Sequence, residues 1–286
     1  MKVLMRKRVG LPADPWSRLH LETADDRRVA GTVAAAVEAR LMVSIVGPRG
    51  AGKTHSTRKA LRAAGARVVE PLRLTRERLH MGDIEWAIVR ELMPDESPRR
   101  SGEARSHQVR RVLGRSQQNA PIVLLIDDAH TLHHQTLRAL KRLRELDWLG
   151  VSPLLGIVLL GQADKVGAIP EVGLRSDRVR LAGLTADEAA EALGAVLGAS
   201  RTEERAVAAL SASERARNWL DLIALVDDCL AEASARGEDW IKFECAHAVL
   251  HPGSQPAPDF ETKPADGAID GVLDDLDEAP GLRRAV

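Results

Sequence analysis

Short apolar runs alternate with longer amphipathic stretches up to residue 181 of this chain. Uninterrupted apolar runs are typical of parallel strands covered on both faces, and a period near 3.6 is typical of surface helices. The predicted strands are residues 41–46, 66–70, 121–128, 153–161 and 178–181. The predicted helices are residues 23–40, 54–64, 83–92, 103–118 and 134–147. Strands that alternate with helices favour an α/β fold, in which helices flank a parallel sheet.

The pattern becomes wholly helical after residue 185, which predicts a domain boundary near residue 183. An α/β domain is expected over residues 23–182 and a small all-helical lid domain over residues 183–251. The lid helices are predicted at residues 186–197, 202–211, 217–235 and 240–250. Residues 1–22 contain two prolines and are predicted to be an irregular arm, with Trp16 as an anchor. Residues 252–286 join a Pro-rich linker to an acidic segment and are predicted to be disordered.

The first predicted strand runs directly into GPRGAGKT, residues 47–54, and a helix pattern follows at once. This order of strand, loop and helix is the setting of the phosphate-binding P-loop. Gly50 and Gly52 lack a Cβ, so backbone N–H groups can surround an anion at the positive end of the helix. Lys53 is expected to reach the β- and γ-phosphates of a nucleotide, and Thr54 to hold Mg²⁺. The predicted nucleotide-binding residues are Gly47, Pro48, Arg49, Gly50, Ala51, Gly52, Lys53, Thr54 and His55.

A second motif, PIVLLIDD at residues 121–128, is an apolar strand that ends in two acids. An apolar strand can end in polar residues by chance, but together with the P-loop this pattern predicts a Walker B motif. Asp127 is expected to act on Mg²⁺ through water, and Asp128 to polarise the attacking water. Aspartate is one methylene shorter than the glutamate common at the second position. Slow hydrolysis, and a role as an ATP-timed switch, is therefore one hypothesis.

Two further residues complete the predicted catalytic set of Lys53, Asp128, Gln162 and Arg178. Gln162 follows the strand at 153–161, where ligands bind at the carboxyl ends of parallel strands, and is interpreted as a γ-phosphate sensor. A surface amide that caps a helix is the alternative. Arg178 is interpreted as an arginine finger that reaches a neighbouring subunit, with Arg175 as second choice. A solvated turn is the alternative for these two arginines. Arg215 and Arg217 are the candidates for a sensor arginine in the lid, and an ordinary surface position is the alternative for them.

Composition narrows the class of protein without changing this interpretation. The chain has 286 residues, of which 44% are hydrophobic and 29% charged, with a formal net charge of zero. Any contact with nucleic acid must therefore come from a local patch. Cys229 and Cys245 match no metal-binding spacing and are expected to be buried, reduced thiols. No apolar run is long enough to span a bilayer, and we expect a cytoplasmic protein.

Taken together, the motifs resemble those of AAA+ ATPases. The resemblance is greatest to the transposition branch, which includes the phage Mu B protein and the TnsC and TniB proteins, and to the related ExeA-type secretion ATPases. The segments that carry it span roughly residues 15–200 and are GPRGAGKT, IVLLIDDAHTLHHQTLRALKRL, LLGIVLLGQADKV and LRSDRVRLAGLTADEAAEAL. The resemblance implies an AAA+ parallel sheet with a helical lid. It also implies that the protein takes ATP with Mg²⁺ and assembles into rings or filaments.

The same resemblance implies binding to duplex DNA, selection of target sites and activation of a transposase or integrase. Transposition relatives place DNA-contacting elements between the two Walker motifs, where this chain is rich in arginine. The arginines concerned are Arg99, Arg100, Arg105, Arg110 and Arg111. Arginines on one helical face contact phosphates without reading sequence, so non-specific, salt-sensitive binding is expected. A solvated face paired with Glu103 and other acids is the alternative.

Our main hypothesis from the sequence is therefore an ATP-dependent DNA-binding ATPase of transposition. An ExeA-like or regulatory ATPase that acts on protein partners is the second hypothesis. A slow ATP-binding switch is the third.

Overall fold

The computed structural model describes residues 2–72, 78–162 and 176–253. It contains a parallel sheet of five strands in the order β2-β3-β4-β1-β5. The strands are β1 (Met42–Val46), β2 (Arg67–Val69), β3 (Ile122–Ile126), β4 (Gly156–Gly161) and β5 (Ser176–Arg180). This arrangement confirms the predicted α/β fold with a parallel sheet.

Helices cover both faces of the sheet and continue after its last strand. In the α/β part they are α2 (Ala24–Glu38), α3 (Lys53–Ala63), α4 (Met81–Leu92), α5 (Gly102–Ser116) and α6 (His134–Arg144), and α1 (Lys2–Arg8) lies in the N-terminal arm. The C-terminal part contains α7 (Ala186–Leu197), α8 (Glu204–Ala212), α9 (Trp219–Ala235) and α10 (Phe243–Leu250). Short 3-10 turns lie at Trp16–Arg18, Ala129–Thr131 and Glu214–Arg217. Within the described ranges, none of the helices combines the length and apolar character that a membrane span requires.

Strand β4 lies between β1 and β3, and all three strands are buried along their whole length. Successive side chains point to opposite faces, so each strand contributes to two cores. On β3, Leu124 and Ile126 pack with α4, α5 and α6, whereas Val123 and Leu125 pack with α2 and α3. Because the strands are parallel, the residues that follow β1, β3 and β4 meet at one edge of the sheet.

The helical part has a core of its own. Leu181 belongs to the cluster beneath the sheet, but Leu184 belongs to a separate cluster formed by α7 to α10. We call residues 184–250 the helical bundle. Cys229 and Cys245 are both buried in its core, and burial raises the pKa of Cys229 to about 12 and that of Cys245 to about 11. Neither thiol therefore ionises near neutral pH.

Capping residues fix where several helices begin. Thr23 and Asp26 form a capping box at the start of α2, as do Thr185 and Glu188 at the start of α7. Glu188 also accepts a hydrogen bond of 2.6 Å from the backbone N–H of Ala24, which links the starts of the two helices.

The predicted division of the chain at residue 183 remains a proposal. The predicted disordered tail lies outside the described residues from 254 onward.

The N-terminal arm differs from its prediction as an irregular segment, because residues 2–8 form α1. This helix packs against α9, and Arg6 makes two hydrogen bonds of 2.8 Å to the carboxylate of Asp227. Asp227 is only 5% exposed, and Lys2 approaches it to 3.3 Å. A buried carboxylate needs charged partners, and the basic residues of α1 supply them. The helix is thus stabilised by a tertiary contact that the local pattern does not predict.

We expect the Arg6→Met substitution to lower the free energy of unfolding by about 2–3 kcal/mol, because it leaves Asp227 buried with a weaker partner. Urea unfolding followed by circular dichroism measures the change. Arg8→Met, in the same helix, is the matched control. Arg8 pairs with Asp239 at 3.7 Å, and both side chains are more than half exposed, so its loss should cost no more than about 0.5 kcal/mol. Equal effects of the two substitutions would contradict the role assigned to Arg6.

Candidate functional site

The P-loop connects β1 to α3 and has the backbone conformation that its glycines predict. Gly50 has a φ of 84° and Gly52 a φ of 85°, in the left-handed region that side chains with a Cβ avoid. Gly52 is the N-cap residue of α3, so the first N–H groups of this helix border the loop. Backbone N–H groups and the positive end of the helix dipole are therefore available to an anion.

Lys53 is the first residue of α3 and is only 9% exposed. Its Nζ donates hydrogen bonds of 2.8 Å to the carbonyl oxygens of Gly47 and Pro48. Burial lowers the pKa of the Lys53 ammonium, whereas the nearby charges of Asp127 and Asp128 act in the opposite direction. An anion placed beside the ammonium would favour its charged form further, so this lysine is well placed to meet phosphate.

Thr54 and Asp127 bring the two Walker motifs into direct contact. The Thr54 hydroxyl donates a hydrogen bond of 2.7 Å to Oδ2 of Asp127, which follows β3. Oδ1 of Asp127 accepts from the backbone N–H of Asp128 at 2.8 Å, which orients the carboxylate. A hydroxyl and a carboxylate are hard oxygen ligands of the kind that Mg²⁺ binds alongside phosphates and water. These two side chains fit Mg²⁺ in chemistry, and their role as its ligands stays a prediction.

The second acid, Asp128, occupies a left-handed backbone conformation with a φ of 48°. Aspartate tolerates this region better than most residues with a Cβ. The side chain of Asp128 is 56% exposed, and His130 Nδ1 lies 3.9 Å from its Oδ1. The same Nδ1 accepts a hydrogen bond of 3.4 Å from the backbone N–H of Gln162. His130 thereby joins the ends of β3 and β4, a role that the sequence did not indicate.

A cavity of about 650 Å³ lies above these residues, where the α/β part, the arm and the helical bundle meet. Its polar wall consists of Asp26, Arg49, Gly50, Gly52, Lys53, Thr54, His55, Ser56, Asp127, Asp128 and Gln162. Its apolar wall consists of Trp16, Leu19, Leu21, Trp219, Leu220 and Ile223. The rings of Trp16 and Trp219 meet edge to face, with centroids 6.5 Å apart. The cavity thus offers a charged end and an aromatic end.

Most of the residues predicted for the catalytic and nucleotide-binding sets border this cavity. Gly47 and Pro48 contribute through their bonds to Lys53, whereas Ala51 is buried in the core beneath the loop. Arg178 does not border the cavity. Its side chain is exposed on β5, the strand at one edge of the described sheet. Its role as an arginine finger stays a prediction, and Arg175 lies outside the described residues. The lid candidates Arg215 and Arg217 form ion pairs with Asp228 and Glu214.

The apolar wall was missed by sequence reasoning, apart from the expectation that Trp16 is an anchor. Trp16, Leu19 and Leu21 come from the arm, and the remaining three residues from the first turns of α9. Neither segment carries a nucleotide-binding motif. Aromatic residues are scarce in this chain, so each tryptophan is a candidate for a special role. Two of the five tryptophans lie in this wall, and that was the one indication the sequence offered.

Two of the predicted DNA-binding arginines are held inside the α/β part. Arg105, on α5, bonds to Glu85 on α4 at 2.9 Å, and its side chain is 14% exposed. Arg111 makes two hydrogen bonds to Glu96, of 3.0 and 2.5 Å. Both arginines thus tie α5 to neighbouring segments, and phosphate contact would have to compete with these acids.

The other three arginines of that set are more accessible. Arg110 bonds to the carbonyl oxygen of Asp147 at 2.6 Å and to its carboxylate at 2.9 Å, and is 42% exposed. Arg99 and Arg100 are exposed, and no partner of either guanidinium is seen within residues 2–72, 78–162 and 176–253. The acids seen to pair with three of the arginines are Glu85, Glu96 and Asp147, which agrees with the alternative of an arginine face paired with acids.

A second depression of about 720 Å³ separates the arm from the outer face of α3. The α3 face carries His55, Arg58, Lys59 and Arg62, and the arm adds His20 and Glu22. Arg58 bonds to Glu70 at 2.7 Å. We call this depression the basic groove. It adjoins the nucleotide-sized cavity, because Thr54, His55, Leu19 and Leu21 border both.

Residues 37–166 match the family model of the AAA domain. No curated protein is matched by the sequence. Solved structures show the same fold at low identity. Cdc6p from Pyrobaculum aerophilum is 18% identical over 79% of this chain and 67% of its own, with a TM-score of 0.58. The ORC2 protein of Aeropyrum pernix, in ADPNP–ADP complexes, is 14% identical over 82% and 70%, with a TM-score of 0.60.

A third similar structure is that of Drosophila ORC bound to DNA. It is 12% identical over 87% of this chain and 65% of its own, with a TM-score of 0.59. The family match spans both the P-loop at residues 47–54 and the acids at residues 127–128. Residues 37–166 are therefore similar to the AAA domain, and the chain has the AAA+ P-loop NTPase fold.

Proposed function

We propose that this protein binds and hydrolyses ATP in the cavity between the arm, the sheet and the helical bundle. The observation that carries this proposal is the convergence of Lys53, Thr54 and Asp127 at the polar end of one cavity of about 650 Å³. These three side chains supply a cation for phosphate and two oxygen ligands for Mg²⁺. The cavity has the size of sites that take a nucleotide-sized ligand.

The two ends of the cavity suit the two ends of a nucleotide. Triphosphate oxygens would accept from the N–H groups of the loop and from the Lys53 ammonium, while Mg²⁺ would be held by Thr54 and Asp127. The base would lie against Trp16, Trp219 and their aliphatic neighbours, since a heteroaromatic ring packs well on aromatic and apolar surfaces. The similar Aeropyrum pernix structure contains ADPNP and ADP, which supports an adenine nucleotide.

Asp128 is the residue we propose to polarise the attacking water. It borders the same cavity as Lys53, and its carboxylate is 56% exposed, as a group that acts on a water molecule must be accessible. Gln162, at the end of β4, is proposed to contact the γ-phosphate. The shorter reach of aspartate supports the slow-switch variant of this proposal, in which ATP binding matters more than turnover.

We expect Lys53→Ala to abolish detectable binding of MgATP, because it removes the only lysine that borders the cavity within the described part of the chain. Isothermal titration calorimetry with MgATP measures the effect. Lys59→Ala, on the outer face of the same helix, is the matched control and should bind MgATP within twofold of the parent protein. Normal binding by Lys53→Ala would refute the site.

We expect Asp128→Asn to lower ATP turnover by at least about tenfold, since an amide cannot accept the proton from water. Binding of MgATP should change by less than about threefold, because the phosphate and Mg²⁺ contacts remain. Asparagine also tolerates the left-handed conformation of this position, so the local backbone should persist. Phosphate release and calorimetry separate the two quantities. Unchanged turnover would exclude Asp128 as the catalytic residue.

We further propose that the protein binds duplex DNA as an ATP-dependent oligomer and serves a transposase or integrase. The resemblance of its motif segments to transposition ATPases supports this, and the similar Drosophila ORC structure contains DNA. Arg99 and Arg100, together with Lys59 and Arg62 of the basic groove, are the exposed cations we propose for phosphate contact. Arg178, exposed on an edge strand, is proposed to reach the nucleotide of a neighbouring subunit.

A protein partner is the second candidate, and one surface feature favours it. A tight turn between α6 and β4 is closed by paired backbone hydrogen bonds between Trp148 and Val151. Leu149 at its tip is 82% exposed and Val151 is 38% exposed. An apolar tip offers no donor to DNA phosphates, whereas it can be buried in the apolar centre of a protein interface.

DNA binding is tested by a mobility-shift titration of a random-sequence duplex with MgATP, MgADP or no nucleotide at several salt concentrations. We expect tighter binding with MgATP and a steep loss of affinity with salt. Replacing Arg99 and Arg100 together by Gln should reduce the salt dependence by about one unit for each lost phosphate contact. Arg236→Gln, in the helical bundle, is the control. The absence of ATP-enhanced binding at low salt would favour the protein-partner hypothesis.

A further inference from the structure

Two residues at the start of α9 donate hydrogen bonds to two consecutive carbonyl groups of the P-loop. The side-chain Nδ2 of Asn218 donates to the carbonyl oxygen of Arg49 at 2.5 Å. The backbone N–H of Trp219 donates to the carbonyl oxygen of Gly50 at 3.1 Å. Because Arg49 and Gly50 also border the cavity, these two bonds connect the helical bundle directly to the loop proposed to hold the phosphates.

Asn218 performs two tasks at once. Its Oδ1 accepts from the backbone N–H groups of Leu220 at 2.9 Å and Asp221 at 3.4 Å, so it caps α9. Its Nδ2 is the donor to the P-loop. Aspartate has only acceptors, and the single oxygen of serine would be occupied in capping at a shorter reach. Asparagine therefore both caps this helix and donates to the loop.

Gly50 shows that the loop is adapted to this contact. The P-loop motif requires glycine at positions 47 and 52 but leaves position 50 open. A Cβ on Gly50 would lie 2.0 Å from Oδ1 of Asn218, which is far inside any allowed contact. Glycine at position 50 thus meets two requirements, its positive φ and the close approach of the Asn218 amide.

Holding these carbonyl groups also determines where the loop's N–H groups point. In a planar trans peptide, the C=O of one residue is antiparallel to the N–H of the next. The bond to Arg49 therefore fixes the N–H of Gly50. The N–H of Ala51 donates to the carbonyl oxygen of Pro48 at 3.2 Å, so the bond to the Gly50 carbonyl steadies the turn of the loop instead. The Gly50 N–H belongs to the loop that would surround the phosphates, and an unheld peptide can rotate away from a bound anion.

We propose that Asn218 is a positioning residue that orients the Gly50 N–H for phosphate binding and, through this contact, couples nucleotide binding to docking of the helical bundle. The inference rests on the proposed nucleotide site and adds a regulatory link to it. The coupling must be reciprocal: docking of the bundle raises affinity for the nucleotide, and the nucleotide strengthens docking by the same factor.

The test compares MgADP and MgATP binding to the full chain and to Asn218→Ser. Serine keeps a capping oxygen but loses the donor to Arg49. We expect affinity for both nucleotides to fall by about three- to tenfold, the usual value of one net hydrogen bond. Hydrogen exchange provides a second readout. In the parent protein, nucleotide should slow exchange of the Trp219 amide, and in Asn218→Ser this protection should be largely lost.

Thr185→Ala is the matched control, because it removes the N-cap of α7 in the same bundle without touching the P-loop. It should lower the thermal unfolding temperature at least as much as Asn218→Ser does, yet leave nucleotide affinity within twofold. If Asn218→Ser binds both nucleotides normally and retains protection of Trp219, the coupling is wrong, although the nucleotide site stands. If the parent protein binds neither nucleotide, the proposed function itself fails.

Discussion

The contact between Thr54 and Asp127 is the constraint on which the candidate site depends. These residues follow β1 and β3, which are not neighbours in the sheet, because β4 lies between them. The contact therefore requires that all three strands be parallel and end at the same edge. The buried faces of β1, β3 and β4 hold this register, so the oxygen ligands proposed for Mg²⁺ are positioned by the whole core and not by a local turn.

The cavity above that edge is completed by segments that lie far apart in the chain. Trp16 comes from the arm and Trp219 from the helical bundle, and their rings meet at the apolar end. The arm reaches this position because Arg6 binds the buried Asp227 on α9. Asn218, at the start of the same helix, binds the P-loop. One helix thus connects the arm, the aromatic wall and the phosphate loop.

The number of arginines between the Walker motifs overstates the positive charge that is available to a polyanion. Arg105 and Arg111 neutralise Glu85 and Glu96, and so stabilise the packing of α5 rather than remaining available to a polyanion. A guanidinium already bonded to a carboxylate gains little from a phosphate, since one ion pair replaces another. The exposed Arg99 and Arg100 are the members of that set best suited to DNA.

The sequence by itself determined the parallel α/β fold and the P-loop, and it placed Asp127 and Asp128 directly after a buried strand, because each of these depends on local order: apolar strand, polar turn, then helix. It also located most helices, including α7 at residues 186–197. It did not determine the helix in the arm, the aromatic wall, the pairing of Arg105 and Arg111, or the contact of Asn218 with the loop. Those features arise where distant segments pack together, and the periodicity of each segment carries no information about its eventual neighbour. Only the tertiary structure decided them.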